Sequence, residues 1–145
     1  MASLSFIGTV ALTLDGKGRL SVPARHRDAL RTLADNALVV TKHPDGCLLV
    51  FPRPSWQPFH DKVVALPMEA QRWKRMFVGG ASEVDIDGAS RALIDPGLRA
   101  YAGLERDVKL VGMGPYFELW DAQRFEADEA KLDSNDMPDS IKGLL

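Results

Sequence analysis

The chain has 145 residues, an apolar fraction of 46 % and a formal net charge of −2 at pH 7. This length suits one compact domain, or two small units that share one core. No apolar run of about 18 residues occurs, and no basic segment precedes an apolar one at the N-terminus, so neither a membrane span nor a secretory signal is expected. The single cysteine, Cys47, lies in an apolar run and is expected to be buried in a reducing, cytoplasmic compartment.

The charge is unevenly distributed along the chain. Residues 1–31 carry five basic and two acidic groups, a local charge of +3, whereas residues 121–145 carry seven acidic and three basic groups, a local charge of −4. Because local charge sets what binds at a surface, the net charge does not exclude nucleic acid. The polar chain from Asp133 is expected to be a mobile, solvating tail, or alternatively to screen the basic part when DNA is absent.

The predicted elements begin with a hairpin and a helix. Alternating apolar residues predict a half-buried strand over 10–14, Asp-Gly at 15–16 predicts a turn, and a returning strand follows over 20–22. Pro23 favours a helix start, with the helix body over 25–33. Two strands joined by a turn signature complete a β-β-α-β-β unit, and they are expected over 37–41 and 47–51.

Helices and a second unit of the same kind are predicted next. Two insert helices are expected over 55–66, with Ser55 as the N-cap, and over 67–78. A last helix, capped by Asp121, is expected to reach about Leu132. The second unit lies between them, with strands predicted over 82–87, 91–94, 107–111 and 117–120 and a short helix over 96–102.

An Asp-x-x-x-Arg turn occurs twice and marks an internal repeat. At an offset of 72 residues, Asp15 corresponds to Asp87, Arg19 to Arg91, and Arg27 to Arg99. Further along, the strand at 38–40 corresponds to the one at 108–110 at an offset of 70. A duplication in so short a chain predicts an intramolecular pseudo-dimer, in which each half completes the core of the other.

The first turn has the composition of a phosphate or DNA site. Lys17 and Arg19 project from the turn, and Arg25 and Arg27 follow at a helix start, where backbone N–H groups favour anions. A two-stranded ribbon also fits the major groove, where an arginine bonds to guanine. These four residues are therefore the predicted DNA contacts.

The remaining turn residues are predicted to be structural. Asp15 accepts backbone hydrogen bonds in a tight turn, and Gly18 supplies a left-handed conformation. The second turn keeps Asp87 and Arg91 but has no counterpart of Lys17, so these two residues are expected to shape a turn rather than to contact DNA.

Five sequence blocks, in this order, resemble the MraZ family of bacterial transcription regulators. The resemblance runs from about Phe6 to Phe125. The blocks are residues 14–23, 47–52 with Trp56, 80–83, 98–104 and 117–121.

The resemblance implies a fold and an assembly. The fold would be α+β, with tandem AbrB-like swapped-hairpin units at 8–55 and 81–124 forming an intramolecular pseudo-dimeric β-barrel. A helical insert would occupy 56–80, and a C-terminal helix with an acidic mobile tail would occupy 125–145. The family further implies a homo-oligomeric ring.

The resemblance also implies a function. It implies a regulator, expected to be a repressor, of the cell-division and cell-wall gene cluster, which binds double-stranded DNA at direct repeats upstream of its own gene. A cytoplasmic, nucleoid-associated location follows. Carried over residue by residue, the DNA-contacting motif falls on Lys17 and Arg19, Asp15 supports the turn, and Asp87 and Arg91 match the second copy.

Two departures from the family pattern concern the second turn. Ser90 stands where glycine commonly precedes the arginine, and Asp95 stands where the first repeat has Pro23. Because serine is strained in the left-handed region, the second turn is expected to differ in shape from the first.

Other function classes are less well supported by the sequence. The three histidines show no metal-ligand spacing with Cys47, and no nucleophile-elbow motif occurs, so no enzyme, cofactor or metal is expected. His26 is expected to be solvated or to face a phosphate. An AbrB-like interaction module, such as an antitoxin, is the alternative, although the duplication within one chain argues against it. The tryptophans are expected to be packing residues: Trp56, Trp73 and Trp120.

Overall fold

The structure is a computed structural model that describes residues 4–145. Its first half contains β1 (Thr9–Thr13), β2 (Arg19–Ser21), α1 (Ala24–Ala34), β3 (Ala37–Lys42) and β4 (Leu48–Pro52). The insert contains α2 (Arg53–Val64), a 3-10 turn (Met68–Ala70) and α3 (Gln71–Phe77). The second half contains β5 (Ser82–Asp85), β6 (Arg91–Leu93), α4 (Pro96–Ala102), β7 (Asp107–Gly112) and β8 (Phe117–Asp121). The C-terminal part contains α5 (Ala122–Glu129), a 3-10 turn (Ser134–Asp136) and α6 (Asp139–Lys142).

The strands form one six-stranded antiparallel sheet and one two-stranded ribbon. The sheet order is β1-β7-β8-β4-β3-β5, and the ribbon pairs β2 with β6. The order is unchanged when the two halves are exchanged, because β1 then replaces β5, β3 replaces β7 and β4 replaces β8. The first strand of each half pairs with a strand of the other half. Val10 of β1 lies opposite Leu110 of β7, and Val84 of β5 lies opposite Leu38 of β3.

The predicted α+β class with two repeats is confirmed, but the sheet is open. β1 and β5 form its two edges, so no closed barrel is observed in the described part of the chain. The reason is that β2 and β6 leave the sheet and pair with each other. Next to the first turn, the chain after β1 meets β2 in a bridge between Leu14 and Leu20 and in a hydrogen bond from the Asp15 N–H to the Arg19 carbonyl at 3.1 Å.

The core is shared between the halves. Leu48 of β4 and Leu119 of β8 lie directly opposite each other in the sheet and are fully buried. Leu30 of α1 and Ile94 after β6 belong to the same apolar cluster. Neither half therefore has a complete core of its own. A smaller aromatic cluster joins the insert to the sheet, and its aromatic members are Phe51, Trp56, Phe59, Phe77 and Tyr116.

Several helix boundaries differ from the sequence-based expectation. α2 begins at Arg53, two residues before Ser55, with Pro52 as its N-cap. Pro54 suits the first turn of the helix because a proline there costs no helical hydrogen bond. The expected second insert helix is divided into the 3-10 turn and α3. Asp121 caps α5 as predicted, since its Oδ2 accepts a hydrogen bond from the Arg124 N–H at 3.0 Å. The tail, expected to lack regular structure, contains two short helical segments, and its mobility stays a prediction.

The burial of the cysteine and the tryptophans is mostly as predicted. Cys47 is buried, and burial raises the pKa of its thiol. Trp56 and Trp120 are buried, but Trp73 is 49 % exposed, so the expectation that it packs in the core is wrong. The short helix α3 contacts the aromatic cluster through Phe77. Trp73 stacks on the outer side of the Phe77 ring, with 6.4 Å between the ring centroids, and is therefore partly exposed to solvent.

Among the helices in residues 4–145, none combines the length and the apolar character that crossing a lipid bilayer requires.

Because the core is shared, shortening a core side chain in either half should lower the stability of both halves together. Leu48→Ala and Leu119→Ala should each lower the free energy of unfolding by about 2–5 kcal/mol, within a single cooperative transition. Denaturant unfolding followed by tryptophan fluorescence and circular dichroism would measure this. Leu144→Ala, at an exposed site in the tail, is the control and should change it by less than about 0.5 kcal/mol. Two separate transitions would contradict the shared core.

Candidate nucleic-acid interface

The first turn is organised by one carboxylate. Asp15 Oδ1 accepts hydrogen bonds from the backbone N–H groups of Lys17 at 2.9 Å and Arg19 at 3.0 Å. Its Oδ2 accepts a third bond from Arg19 Nε at 2.6 Å. These donors, the Arg19 N–H first among them, lower the pKa of Asp15 from 3.8 to about 2. The carboxylate thus fixes both the loop backbone and the direction of the Arg19 side chain.

The second turn has the same geometry. Asp87 Oδ1 accepts from the N–H groups of Ala89 and Arg91, each at 2.9 Å, and Arg91 Nε lies 3.2 Å from Asp87 Oδ2. Gly18 has φ +82° and Ser90 has φ +61°, so both turns use the left-handed region at the same position. The expectation that Ser90 changes the shape of the turn is therefore wrong. The hydrogen bonds to Asp87 hold the serine in a conformation it would rarely adopt unaided.

The ribbon places the two turns at opposite ends of one short surface. Arg19 lies opposite Leu93, and Ser21 lies opposite Arg91. Beyond these pairs, Ile94 N–H donates to the Gly18 carbonyl at 3.0 Å, and Val22 N–H donates to the Ser90 carbonyl at 2.8 Å. At ~3.4 Å per residue, the two turns are roughly 14 Å apart. Side chains alternate in a strand, so Leu20 and Ala92 point into the core. The other four form the outer ribbon face: Arg19, Ser21, Arg91 and Leu93.

An arginine from the opposite half braces each turn. Arg99 Nε donates to the Ile94 carbonyl at 2.9 Å, and a Cβ at Gly18 would overlap the Arg99 guanidinium. In the same way, Arg27 Nε donates to the Val22 carbonyl at 2.9 Å. Arg27 also lines a cleft of about 280 Å³ together with Asp87 and Ser90 of the second turn. Arg99 therefore adds a cation to the first turn. Sequence reasoning paired it with Arg27 but missed this placement, because the exchange of partners between halves is not visible in the sequence.

The structure does not bring the four predicted DNA-contacting cations together. Lys17, which is exposed, and Arg19 share the first turn. Arg25 contacts Gly8, just before β1 and at the other end of that strand from the turn. Arg27 lies at the second turn, at the far end of the ribbon. The four cations therefore lie at three separate places, and DNA contact by each of them stays a prediction.

His26 is not available to a phosphate. It is buried between Phe6, with a ring-centroid distance of 5.3 Å, and Phe117, at 5.1 Å. Burial and, next, the neighbouring Arg25 charge both lower the pKa of His26 and so favour the neutral ring. The expectation of a solvated histidine is wrong because this position of α1 faces the core. Within residues 4–145, no group of three or more His, Cys, Asp or Glu side chains is arranged to hold a metal ion.

The Asp15 carboxylate should make stability depend on acid. Its pKa is about 2 in the folded chain and 3.8 ordinarily, so its contribution is present above about pH 4 and is lost as the pH falls toward 2. Asp15→Asn should therefore flatten the dependence of the free energy of unfolding on pH over that interval. Gly16→Ala changes the same turn without removing the carboxylate, and it should keep the wild-type dependence. An unchanged slope in Asp15→Asn would contradict the role of the carboxylate.

Gly18 should be intolerant of any side chain. Gly18→Ala places a Cβ in the left-handed region and against Arg99, so it should lower the free energy of unfolding by more than about 1 kcal/mol. Gly16→Ala is again the matched control, because nothing lies within 4 Å of a Cβ there. Thermal unfolding of both variants compares them directly. Equal stabilities would show that neither the backbone conformation nor the Arg99 contact constrains position 18.

Comparison with known proteins identifies the family. The family model described as MraZ protein, antitoxin-like, matches twice, over residues 5–78 and 76–141, in agreement with the two halves of the fold.

Close relatives cover almost the whole chain. A protein of Methylibium petroleiphilum named transcriptional regulator MraZ is 57 % identical over 141 residues, which is 97 % of each chain. Proteins of the same name from Paraburkholderia phytofirmans and Ralstonia pickettii are each 56 % identical, over 94 % and 96 % of this chain and 96 % and 98 % of their own. The chain therefore belongs to the MraZ family.

Proposed function

We propose that the chain is a DNA-binding transcriptional regulator that inserts the outer ribbon face into the major groove. The observation that carries this proposal is the ribbon itself, which is two strands wide and carries an arginine at each end. A two-stranded ribbon fits the major groove, where base edges are distinguishable. The name shared by the relatives supports transcriptional regulation, which is not an enzymatic function, and we propose no catalytic activity, cofactor or metal.

Arg19 is the proposed reader of a base. Its Nε is bound to Asp15, and the guanidinium makes no other hydrogen bond within residues 4–145, so its Nη groups remain available. A guanidinium held in this way is suited to bidentate bonding to O6 and N7 of guanine. Lys17, which is exposed and makes no ion pair in the described part of the chain, is placed to contact phosphate.

The other cations are proposed to position the DNA. Arg25, beside Gly8, and Arg27, beside the second turn, would contact phosphates, which carry most of the affinity but little sequence information. The second turn repeats the geometry of the first, but Asp85 and Asp95 flank it and it has no lysine. We therefore assign the stronger DNA contact to the first turn, and a mainly structural role to Asp87 and Arg91.

We propose that affinity comes from assembly into a homo-oligomeric ring. One subunit offers only a few cationic contacts, which would bind weakly and fade with salt. Neighbouring subunits on neighbouring DNA repeats would raise affinity through effective concentration. The insert offers an apolar surface for packing subunits together, with Leu66, Met68 and Trp73 all exposed. The exchange of first strands between halves supports the swapped-hairpin description of each unit.

The proposed target is the DNA upstream of the chain's own gene, at direct repeats, within the cell-division and cell-wall cluster. A ring bound there would block polymerase, so the proposed outcome is repression, and the proposed location is cytoplasmic and nucleoid-associated. These details come from the family resemblance.

A second candidate is an antitoxin-like protein-interaction module. The description of the matching family includes this term, and the acidic tail at 125–145 would suit a basic protein partner. Co-purification with a basic protein would favour this candidate. Retention on heparin that is lost in Arg19→Ala would favour DNA.

Removing single cations should separate base reading from phosphate contact. On DNA from upstream of the gene, Arg19→Ala should weaken binding by about 1–3 kcal/mol and relax specificity, whereas Lys17→Ala should reduce the salt slope by about 1. Fluorescence anisotropy over a range of salt concentrations would measure both. Lys142→Ala, on α6, removes the same charge at an exposed site outside both the ribbon and the insert, and it should bind like wild type.

Two results would count against this assignment. If wild type fails to bind this DNA at low salt, the chain is not a regulator of this gene. If Arg91→Ala is as damaging as Arg19→Ala and the oligomer size is unchanged, the second turn reads DNA equally and its structural assignment is wrong.

A further inference from the structure

The outer ribbon face breaks the symmetry of the fold. Exchanging the two halves replaces Arg19 by Arg91, so the two ends of the face match. The same exchange replaces Ser21 by Leu93, so the residues opposite the two arginines do not match. At one end of the ribbon the arginine is therefore paired with an apolar side chain, and at the other end with a polar one.

Packing in the core does not explain why residue 93 is a leucine. It is 51 % exposed, whereas its strand neighbours Ala92 and Ile94 are buried in the core. It lies directly opposite Arg19, and such pairs have Cβ atoms about 5 Å apart. A large apolar side chain thus stands in solvent beside the arginine that we propose as the base reader.

We propose that Leu93 is a specificity-determining residue that contacts the C5-methyl group of a thymine next to the base read by Arg19. This inference rests on the proposed function. Among the groups that bases present in the major groove, the thymine methyl is the apolar one. A leucine at this position would leave the amino group of cytosine or adenine without a hydrogen-bond partner, which disfavours those bases.

The difference between Leu93 and Ser21 also means that the ribbon would bind its DNA site in one orientation. Ser21, at the equivalent position, both donates and accepts hydrogen bonds, so it tolerates several bases. A site read by leucine on one side and serine on the other differs from a palindrome. Cyclic assembly presents every subunit in the same orientation, so an asymmetric reader matches repeats that all run in one direction.

Replacing thymines one at a time by deoxyuridine, which lacks only the methyl group, tests the contact. On DNA from upstream of the chain's own gene, wild type should bind about fourfold more weakly when one particular thymine of a repeat is replaced, as expected for one buried methyl group. Leu93→Ser should bind the natural DNA more weakly and show no further loss at that thymine. Leu93→Ile should retain the sensitivity, and Ser21→Ala, on the same face, should retain it as well.

Each alternative outcome overturns the inference. A flat deoxyuridine scan in wild type, or undiminished sensitivity in Leu93→Ser, removes the methyl contact; the proposed function survives if Arg19→Ala still loses binding. A change in oligomer size on a sizing column in Leu93→Ser would show that this face packs subunits together. If wild type binds no DNA from this region, the inference and the proposed function fail together.

Discussion

The pairing of β2 with β6 is the interaction on which the candidate interface depends. Each strand is short, yet together they join the two halves and place a turn at each end. Hydrogen bonds from Ile94 to Gly18 and from Val22 to Ser90 extend the pairing into the turns themselves. Because the strands come from different repeats, neither half can form this surface alone. Because both halves lie in one chain, β2 always has β6 available as its pairing strand, whereas two separate chains would first have to associate.

The same exchange of segments explains the core and the bracing of the turns. β1 and β5 each pair with a strand of the other half, and Leu48 meets Leu119 at the centre of the sheet. Arg99 lies over Gly18 for the same topological reason. The stability of the fold and the shape of the interface are consequently linked, since loosening one half would displace the arginine that supports the turn of the other.

Local chemistry could be predicted from the sequence more successfully than contacts between the halves. The turn at Asp15, the capping by Asp121 and the burial of Cys47 follow from nearby residues, and the structure agrees with each. The placement of Arg99, the separation of Arg25 from Arg27 and the burial of His26 depend on which segments exchange, which no local pattern specifies. The left-handed Ser90 was misjudged because its hydrogen bonds to the Asp87 turn outweigh its intrinsic preference.

The central claim is that the outer ribbon face enters the major groove with Arg19 as its reader. Dimethyl sulfate tests this directly, because it methylates guanine N7 in the major groove and adenine N3 in the minor groove. Wild type should protect guanine N7 once in each DNA repeat, and Arg19→Ala, at concentrations that restore occupancy, should lose that protection. Protection confined to adenine N3, or a pattern that Arg19→Ala leaves unchanged, would contradict the claim.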